Sequence, residues 1–218
     1  MTLWTQVTRL LRSRIAAVPG AQRWVVLDVE SSGLDARRDR LIAIAAIALG
    51  MHNGQPRIHL GDSFEIVLRQ PDGATDKANI LLHGIGVGAQ RAGVEPAAAL
   101  RAFEGWLGDA PLIAFHAAFD ESLVQRAMQA VLGRRLDNPW VDLEPVAAAV
   151  CPQVKARSLD QWLAHFDIEC AVRHQAAADT LATAELLLRL WPAIRAQGVA
   201  ARFAALQRLA AQGRWLQR

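Results

Sequence analysis

The amino-acid sequence predicts one α/β domain whose sheet begins antiparallel and continues parallel, with helices on both faces. Three observations lead to this prediction. The chain has 218 residues, enough for one well-buried domain and short for two. Apolar stretches joined by short turns fill its first third, and helical patterns fill most of the rest. Hydrophobic residues make up 52% and charged residues 21%, which argues against wholesale disorder.

The predicted strands of the antiparallel part come first along the chain. Residues 24–30 begin as an apolar, β-branched run, and residues 41–49 form an apolar run that ends before the Asn53-Gly54 turn signal. A third strand is predicted over residues 64–68, with a chain reversal at Pro71-Asp72-Gly73. Strands joined by such short turns pair in an antiparallel meander.

Helices and one further strand follow. Residues 76–108 are predicted to be helical, with a break at His83-Gly84-Ile85-Gly86 and a new start at Pro96, a residue favoured in the first helical position. Residues 111–115 form a short apolar strand entered from a helix, so we expect a parallel crossover. Later helices are predicted over residues 118–132, 142–149, 158–166, 176–191 and 195–213.

Both ends of the chain are predicted to be basic helices. Residues 1–18 have apolar side chains at helical spacing with arginines between them, and packing on the domain or on a second copy is favoured over a nucleic-acid or membrane arm. Such arginine-rich ends suit a polyanionic partner, although an Arg-rich genome composition would produce the same bias. We therefore divide the chain into an N-terminal amphipathic helix (1–22), a central domain (23–191) and a basic helical extension (192–218).

The two cysteines, Cys151 and Cys170, have no paired spacing and no histidines at zinc-ligand intervals. This argues against a disulfide framework or a structural zinc site and suits a reducing compartment. The longest apolar run, residues 41–49, is too short to span a bilayer, and the N-terminus lacks the apolar core of a signal peptide. We expect a cytoplasmic protein without a membrane partner.

Two carboxylates lie on one face of the first strand. Side chains alternate between the faces of a strand, so Asp28 and Glu30 point the same way. Such a pair is mutually repulsive and costly to desolvate, and a cation between the two would remove that cost. A strand end that emerges into water would explain the pair equally well, and this stretch alone does not decide between the two interpretations.

Two further acids and a histidine stand near the ends of apolar elements. Asp120 follows the strand at 111–115, where α/β sheets commonly build sites, although an Asp in a first helical turn is also simply favourable. Asp179 lies in a helix of mostly Ala and Leu, where its burial would demand a partner. His174 can meet Asp179 only from the loop before that helix, and a lone loop histidine is often just polar surface.

Taken together, these acids form an all-oxygen ligand set that suits Mg²⁺ or Mn²⁺ rather than zinc. Two such ions about 3.5–4 Å apart can clamp a phosphodiester, one activating water and the other stabilising the leaving oxygen. A histidine, with an ordinary pKa of about 6.5, can take the proton from the attacking water near neutral pH.

The order of these residues resembles the histidine-bearing branch of the DEDD exonucleases (DEDDh, DnaQ-like), which includes the proofreading subunit of bacterial DNA polymerase III, RNase T and oligoribonuclease. The matching motifs are Asp28-x-Glu30, Phe119-Asp120 and His174-x-Ala176-x-x-Asp179, spread over roughly residues 23–190. The resemblance implies a ribonuclease H-like fold with a mixed five-stranded sheet in an exonuclease domain at 23–191. It also implies 3′→5′ removal of nucleotides with two Mg²⁺ or Mn²⁺ ions.

The resemblance further implies a role for each matched residue. The metal ligands would be Asp28, Glu30, Asp120 and Asp179, and His174 would be the general base. The 3′-terminal nucleotide would contact Ser31, Ser32, Gly33 and Leu34, with His83 nearby and Phe119 as apolar surface. Asp142 would cap a helix rather than bind metal. Two departures, Phe115-His116 for the usual His-Asn and Ser31-Ser32 for the usual Thr-Thr, leave the ligands intact and bear on nucleotide contacts.

We expect a metal-dependent 3′→5′ exonuclease that acts on single-stranded 3′ ends and releases nucleoside 5′-monophosphates. DNA is favoured over RNA because the motifs are closer to the proofreading subunit, although that choice depends on contacts to the ribose hydroxyl. An exoribonuclease of the RNase T or oligoribonuclease type is the alternative enzyme. A non-catalytic subunit that binds a polymerase or nucleic acid through the helical ends is the alternative from another class, against which the complete ligand set counts.

Overall fold

The sheet of this protein has five strands in the order β3-β2-β1-β4-β5 in the computed structural model, which describes residues 22–71, 77–198 and 201–216. The strands are β1 (Gln22–Ser31), β2 (Leu41–His52), β3 (Gln55–Val67), β4 (Leu112–Ala114) and β5 (Trp140–Asp142). The first three pair antiparallel, and β4 and β5 continue the sheet in parallel beside β1. The predicted mixed sheet is confirmed, with β1 at its centre.

Helices cover both faces of this sheet. Within the described ranges they are α1 (Lys77–His83), α2 (Val87–Arg91), α3 (Pro96–Leu107), α4 (Ala118–Leu132), α5 (Leu143–Val150), α6 (Leu159–His165), α7 (Ala176–Ala196) and α8 (Phe203–Leu216). Local sequence explains several boundaries: Glu95 caps α3 through the Ala97 and Ala98 N–H groups, and Ser158 and Gln161 form a capping box at α6. Of the helices in this part of the chain, none combines the length and apolar character needed to cross a membrane.

Alternation along β1 separates two hydrophobic cores. Trp24 and Val26 face the core formed with α5, α6, α7 and α8, whereas Val25 and Leu27 face the core formed with α3 and α4. The Trp24 ring makes edge-on contacts with Trp191 of α7 at 5.9 Å and with Phe203 of α8 at 5.5 Å. Because both faces of β1 are packed in this way, the strand is a rigid base for the side chains at its end.

Several predicted element boundaries were wrong. The third strand begins at Gln55 rather than at residue 64, because the polar stretch after the Asn53-Gly54 turn pairs along β2. The three-residue β5 was not placed, and the helix predicted from residue 142 begins at Leu143. Helix α7 continues through the exposed Pro192 to Ala196, and α8 begins at Phe203 rather than at residue 195.

The predicted N-terminal helix at residues 1–18 lies outside the described residues, as does most of the reversal at residues 71–73. At the other end of the chain, Phe203, Leu206 and Leu209 of α8 are buried in the core that contains Trp24. The three-part division of the chain stays a prediction, but the C-terminal helix packs as part of the same hydrophobic core.

Candidate active site

One face of β1 changes from apolar to acidic as the strand approaches its C-terminal end. Trp24 and Val26 are buried in the core on this face, and the next two positions on it are Asp28 and Glu30. Their partners on β2 are Ala45 and Ala43. Paired residues point to the same face, so two methyl groups leave room beside the two carboxylates.

Asp120 reaches the same end of β1 from the first turn of α4. Its side chain is buried, and its Oδ1 accepts a hydrogen bond of 3.2 Å from the backbone N–H of Val29. Val29 stands between Asp28 and Glu30 in the strand, so this bond fixes Asp120 beside both acids. The position after the end of β4 is the one that the sequence predicted.

Asp142 caps a helix, as predicted. Its Oδ1 accepts hydrogen bonds from the backbone N–H groups of Glu144 at 3.2 Å and His116 at 2.9 Å. His116 has a φ of 59°, in the left-handed region that few residues other than glycine adopt. Asp142 thus holds the turn between β4 and α4, which delivers Asp120.

His174 precedes α7 and meets Asp179 from the loop, as predicted. Its φ of 62° turns the chain back, and its backbone N–H donates to Asp179 Oδ2 at 3.0 Å. The His174 side chain is exposed, whereas Asp179 is buried in the first turn of α7. The same hydrogen bond therefore holds an acid inside the protein and an imidazole at its surface.

Arg173, which the sequence analysis missed, binds the other oxygen of Asp179. Its Nη1 donates to Asp179 Oδ1, and its Nε donates to Asp160 Oδ1 at the start of α6. The Cys170 thiol also donates to Asp179 Oδ1, at 3.4 Å. Burial alone would lower the pKa of Arg173, but the hydrogen bonds to the two aspartates raise it. A buried Asp six residues from a loop arginine is the signal that could have pointed to this pair.

Burial and mutual repulsion raise the pKa values of the acids on β1 and α4. Burial raises the pKa of Glu30 to about 8, and the charge of Asp179 adds to this effect. Burial likewise raises the pKa of Asp120 to about 8. The pKa of Asp28 lies well above its ordinary value because of burial and then the charges of Asp120, Glu30 and Asp179. These carboxyl groups form one cluster in which burial and mutual repulsion disfavour the charged forms.

The donor chemistry of this cluster fits a hard divalent cation. All the side chains offer oxygen, and Glu30 Oε1 is buried with no hydrogen-bond partner within the described residues. Among residues 22–71, 77–198 and 201–216, however, no three His, Cys, Asp or Glu side chains stand close enough together to hold a metal ion. Both Asp179 oxygens accept hydrogen bonds, one of them from Arg173. An ion that binds Asp179 Oδ1 must therefore displace a guanidinium.

The predicted nucleotide contacts form a tight loop after β1. Ser31 Oγ donates to the Gly33 carbonyl at 2.6 Å, and Ser32 Oγ donates to Asp39 Oδ1 at 2.8 Å. A Cβ at Gly33 would lie 2.5 Å from Asp39 Oδ2, so a side chain there would displace the Asp39 carboxylate from its contacts with Ser32 and Asp35. Leu34 is 89% exposed at the tip and is free to pack against a base. The serines are thus engaged within the loop, and Leu34 presents the apolar surface.

His83 and Phe119 lie closer to the protein interior. His83 is buried, its Nδ1 accepts a hydrogen bond of 2.9 Å from the Ile85 N–H, and burial lowers its pKa. Phe119 is half-buried and packs on the core beneath α4. Their substrate contacts stay predictions. Asn79, which the sequence analysis did not single out, donates to the Ser31 carbonyl at 2.5 Å and joins α1 to the nucleotide loop.

Comparisons with known proteins find relatives over most of this chain. The family model described as RNase T, exonuclease, matches residues 25–187. The PolC-type DNA polymerase III of Oceanobacillus iheyensis is 31% identical over 167 residues, which are 77% of this chain and 11% of that protein. A DNA polymerase III subunit epsilon-like protein of Rhodobacter capsulatus is 32% identical over 194 residues, 88% of this chain and 27% of that protein. The chain thus spans only a minor part of the length of these relatives.

Solved structures share the fold. Escherichia coli exonuclease I in complex with a dT13 oligonucleotide superposes with a TM-score of 0.66 at 18% identity, over 81% of this chain and 42% of that one. Cell-death related nuclease 4 gives a TM-score of 0.66 at 16% identity, over 78% of this chain and 63% of that one. The likeness confirms the ribonuclease H-like arrangement expected from the sequence.

Proposed function

The chain belongs to the RNase T exonuclease family, among the DnaQ-like 3′→5′ exonucleases, and on this premise we propose that it removes nucleotides from single-stranded 3′ ends. Its resemblance to that family is thereby confirmed. The observation that supports the proposal most strongly is the acid cluster at the end of β1. Asp28, Glu30 and Asp120 come from two elements, and their raised pKa values express an unmet need for positive charge.

Asp28, Glu30, Asp120 and Asp179 would hold two Mg²⁺ or Mn²⁺ ions, which supply positive charge to the attacking and leaving oxygens of a phosphodiester. The chain contributes the placement of these carboxylates. Asp120 is fixed by the Val29 N–H and Asp179 by the His174 N–H. The backbone donor of Asp120 is neutral and leaves its charge available to a cation, whereas a cation at Asp179 Oδ1 would have to displace the Arg173 guanidinium.

His174 is the proposed general base. Its imidazole is exposed at the mouth of the site, while its backbone N–H is held by Asp179 Oδ2. A base whose backbone is hydrogen-bonded to a ligand residue is held at a fixed distance from the reacting atoms. The proton of the attacking water would pass to this imidazole, which would release it to solvent after the phosphodiester is cut.

Single-stranded DNA is the proposed substrate. The exposed Leu34 offers apolar surface for the terminal base, and stacking of this kind does not depend on the base sequence. The relatives named above are DNA polymerases or resemble a polymerase subunit, which favours DNA and makes a polymerase the proposed protein partner. An exoribonuclease would share the same site, and only contacts to the ribose hydroxyl would distinguish it.

Digestion of a 5′-labelled DNA oligonucleotide and its RNA counterpart tests the proposal. With Mg²⁺ or Mn²⁺ we expect a ladder that shortens from the 3′ end of DNA, and none with EDTA. A stronger ladder on RNA would favour the exoribonuclease, and no ladder on either would refute an exonuclease.

Asp28→Asn and Asp179→Asn should remove the ladder because each deletes a charge that holds metal. Asp28→Asn should not lower the thermal midpoint of the metal-free protein, since it removes repulsion from the acid cluster. Asp137→Asn, at an exposed position away from the cluster, is the matched control and should digest like the wild type.

A further inference from the structure

A basic pocket lies between α4 and residues 38–41, which follow the proposed nucleotide contacts at residues 31–34. It has a volume of about 330 Å³. Four arginines line it, namely Arg38, Arg40, Arg69 and Arg126, and Asp39 is the one lining carboxylate among the residues that the structure describes. Apolar side chains, including Leu41, Leu68 and Leu123, form the rest of its wall. This combination offers charge for a phosphate and apolar surface for a base or sugar.

The contacts of Arg38, Arg69 and Asp39 bear on how this pocket could bind an anion. Asp39, the lining carboxylate within the described residues, accepts hydrogen bonds from Ser32 Oγ and the Asp35 N–H, each at 2.8 Å. Arg38 lies 3.6 Å from Asp35, but both side chains are largely exposed, so this ion pair is weak. Glu95 lies outside the lining. The backbone N–H groups that it caps lower the pKa of its carboxyl group, and the charge of Arg69 adds a smaller effect in the same direction.

Two of the arginines are anchored without losing their capacity for a ligand. Arg69 Nε donates to the Gly93 carbonyl at 3.2 Å, and Arg126 Nη1 donates to the Arg37 carbonyl. A guanidinium has five N–H donors, so one backbone contact each leaves most of them for an anion. Neutral carbonyl partners hold these side chains in place and leave their charge intact.

The pocket is joined directly to the loop of the proposed nucleotide contacts, residues 31–34. The Arg40 N–H donates to Ser32 Oγ, and the Ser32 N–H donates to the Arg40 carbonyl, both at 2.9 Å. The acids lie on the face of β1 that bears Trp24 and Val26, whereas the apolar wall of the pocket belongs to the core on the other face, so the loop stands between the two. A strand whose 3′ end lies at Ser31 and Ser32 can leave across the loop tip toward these arginines.

We propose that this pocket is an anchoring subsite that binds one nucleotide of the single-stranded substrate, upstream of the bond that is cut. Arginine pairs with phosphate through two parallel hydrogen bonds, and pockets of this size suit a small ligand. The proposal rests on the proposed function, since the ligand is the same strand. A free nucleoside monophosphate has the same chemistry, and the experiment separates the two sources.

The test compares substrates of different length in Arg69→Ala, Arg126→Ala and the double variant. Anisotropy of 5′-labelled oligonucleotides in EDTA gives binding without cleavage, and hydrolysis of a dinucleotide with Mn²⁺ gives the reaction at the catalytic acids alone. Arg189→Ala, on the exposed side of α7, is the control for loss of one positive charge. Because Arg126 holds the Arg37 carbonyl, thermal midpoints accompany each variant, and Arg69→Glu, at an exposed position, tests the pocket without that contact.

We expect each single variant to weaken binding of a long oligonucleotide about 5- to 10-fold, with a salt dependence reduced by about 0.7 per arginine. Dinucleotide hydrolysis should stay at the wild-type rate. Equal losses in dinucleotide hydrolysis and in oligonucleotide binding, or no loss in either, would overturn the proposed subsite. If the variants lose binding of the free nucleotide dTMP while their affinity for the oligonucleotide is unchanged, the proposed subsite is also overturned. If the wild type cleaves nothing, the proposed function fails, while the anisotropy still decides whether the pocket binds a strand.

Discussion

Replacing Arg173 by glutamine should tighten the binding of Mn²⁺ to the metal-free protein. Arg173 donates to Asp179 Oδ1, an oxygen that a metal ion would also need. In the wild type an entering ion must break this contact and then lie near the displaced guanidinium. Arg173→Gln removes the competing donor and its charge, and leaves Asp179 Oδ2 on the His174 N–H.

The expected size of the effect follows from the exposure of the pair. A hydrogen bond to a charged group contributes about 1.5–3 kcal/mol, and the lower end applies because the Arg173 side chain is 27% exposed while that of Asp179 is 7% exposed. Removing a competing contact worth about 1.4 kcal/mol corresponds to roughly tenfold tighter binding of Mn²⁺. The contact with Asp160 adds little, since that side chain is 60% exposed.

A second effect opposes the first at neutral pH. The charge of Arg173 lowers the pKa values of Asp28 and Glu30, so its removal makes these groups hold their protons more firmly against the ion. Because the pKa of Glu30 is already about 8, the gain in affinity should be small at pH 7 and reach its full size above pH 8.

Titration calorimetry with Mn²⁺ at several pH values measures both effects. Arg189→Gln, which removes the same charge from an exposed turn of α7, is the matched control and should bind as the wild type does. If Arg173→Gln binds Mn²⁺ no more tightly than this control above pH 8, the proposed competition for Asp179 is refuted.

Three further predictions concern the cluster, the core and the base. The pKa of Glu30 is about 8 in the folded protein, whereas that of an ordinary glutamate is 4.5. The contribution of Glu30 to the stability of the metal-free protein should therefore be greatest below about pH 4.5 and be lost as the pH rises to 8. Urea midpoints should show a flatter slope in Glu30→Gln, and equal slopes would contradict the assignment. A Cβ at Gly213 would lie 1.8 Å from the Pro145 carbonyl oxygen, so Gly213→Ala should lower the thermal midpoint by roughly 2–12 °C, whereas Gly105→Ala, which meets nothing within 4 Å, should not lower it. His174→Ala should reduce kcat about 10²–10⁴-fold with Mn²⁺ affinity unchanged, and near-full activity would mean that another group accepts the proton.

Short-range regularities made the central strand predictable. The period of two along a strand is enough to place Asp28 and Glu30 on one face, and their pairing with Ala45 and Ala43 bears this out. The position of His174 before α7 was likewise predictable, because five residues on one helix would have separated it from Asp179. In both cases the information lies within a few residues of the chain.

Contacts between distant segments could not be predicted in the same way. Strand β5 has three residues and forms because β4 offers it an edge, with the Leu112 N–H bound to the Pro139 carbonyl at 2.8 Å. The role of Arg173 depends on α6, which brings Asp160 to it from 13 residues away. Neither pattern is visible locally, since each residue would be ordinary surface without its distant partner.

The way the acids are held explains why their cluster favours a cation. Asp120 accepts from the Val29 N–H, Glu30 from the Ala176 N–H, and Asp179 from the His174 N–H. Each donor belongs to a segment other than the acid's own regular element, so the carboxylates are positioned by the fold before any ion arrives. These donors are neutral, and they lower the pKa values of Glu30 and Asp120 by less than burial raises them. Arg173 makes its direct contact with the cluster at Asp179, and its charge lowers the pKa values of Asp28 and Glu30 by less than burial raises them. The repulsion that remains among the other acids is the free energy that binding of a divalent cation would release. Metal binding should therefore strengthen as the pH rises, over the same range in which the metal-free protein loses stability.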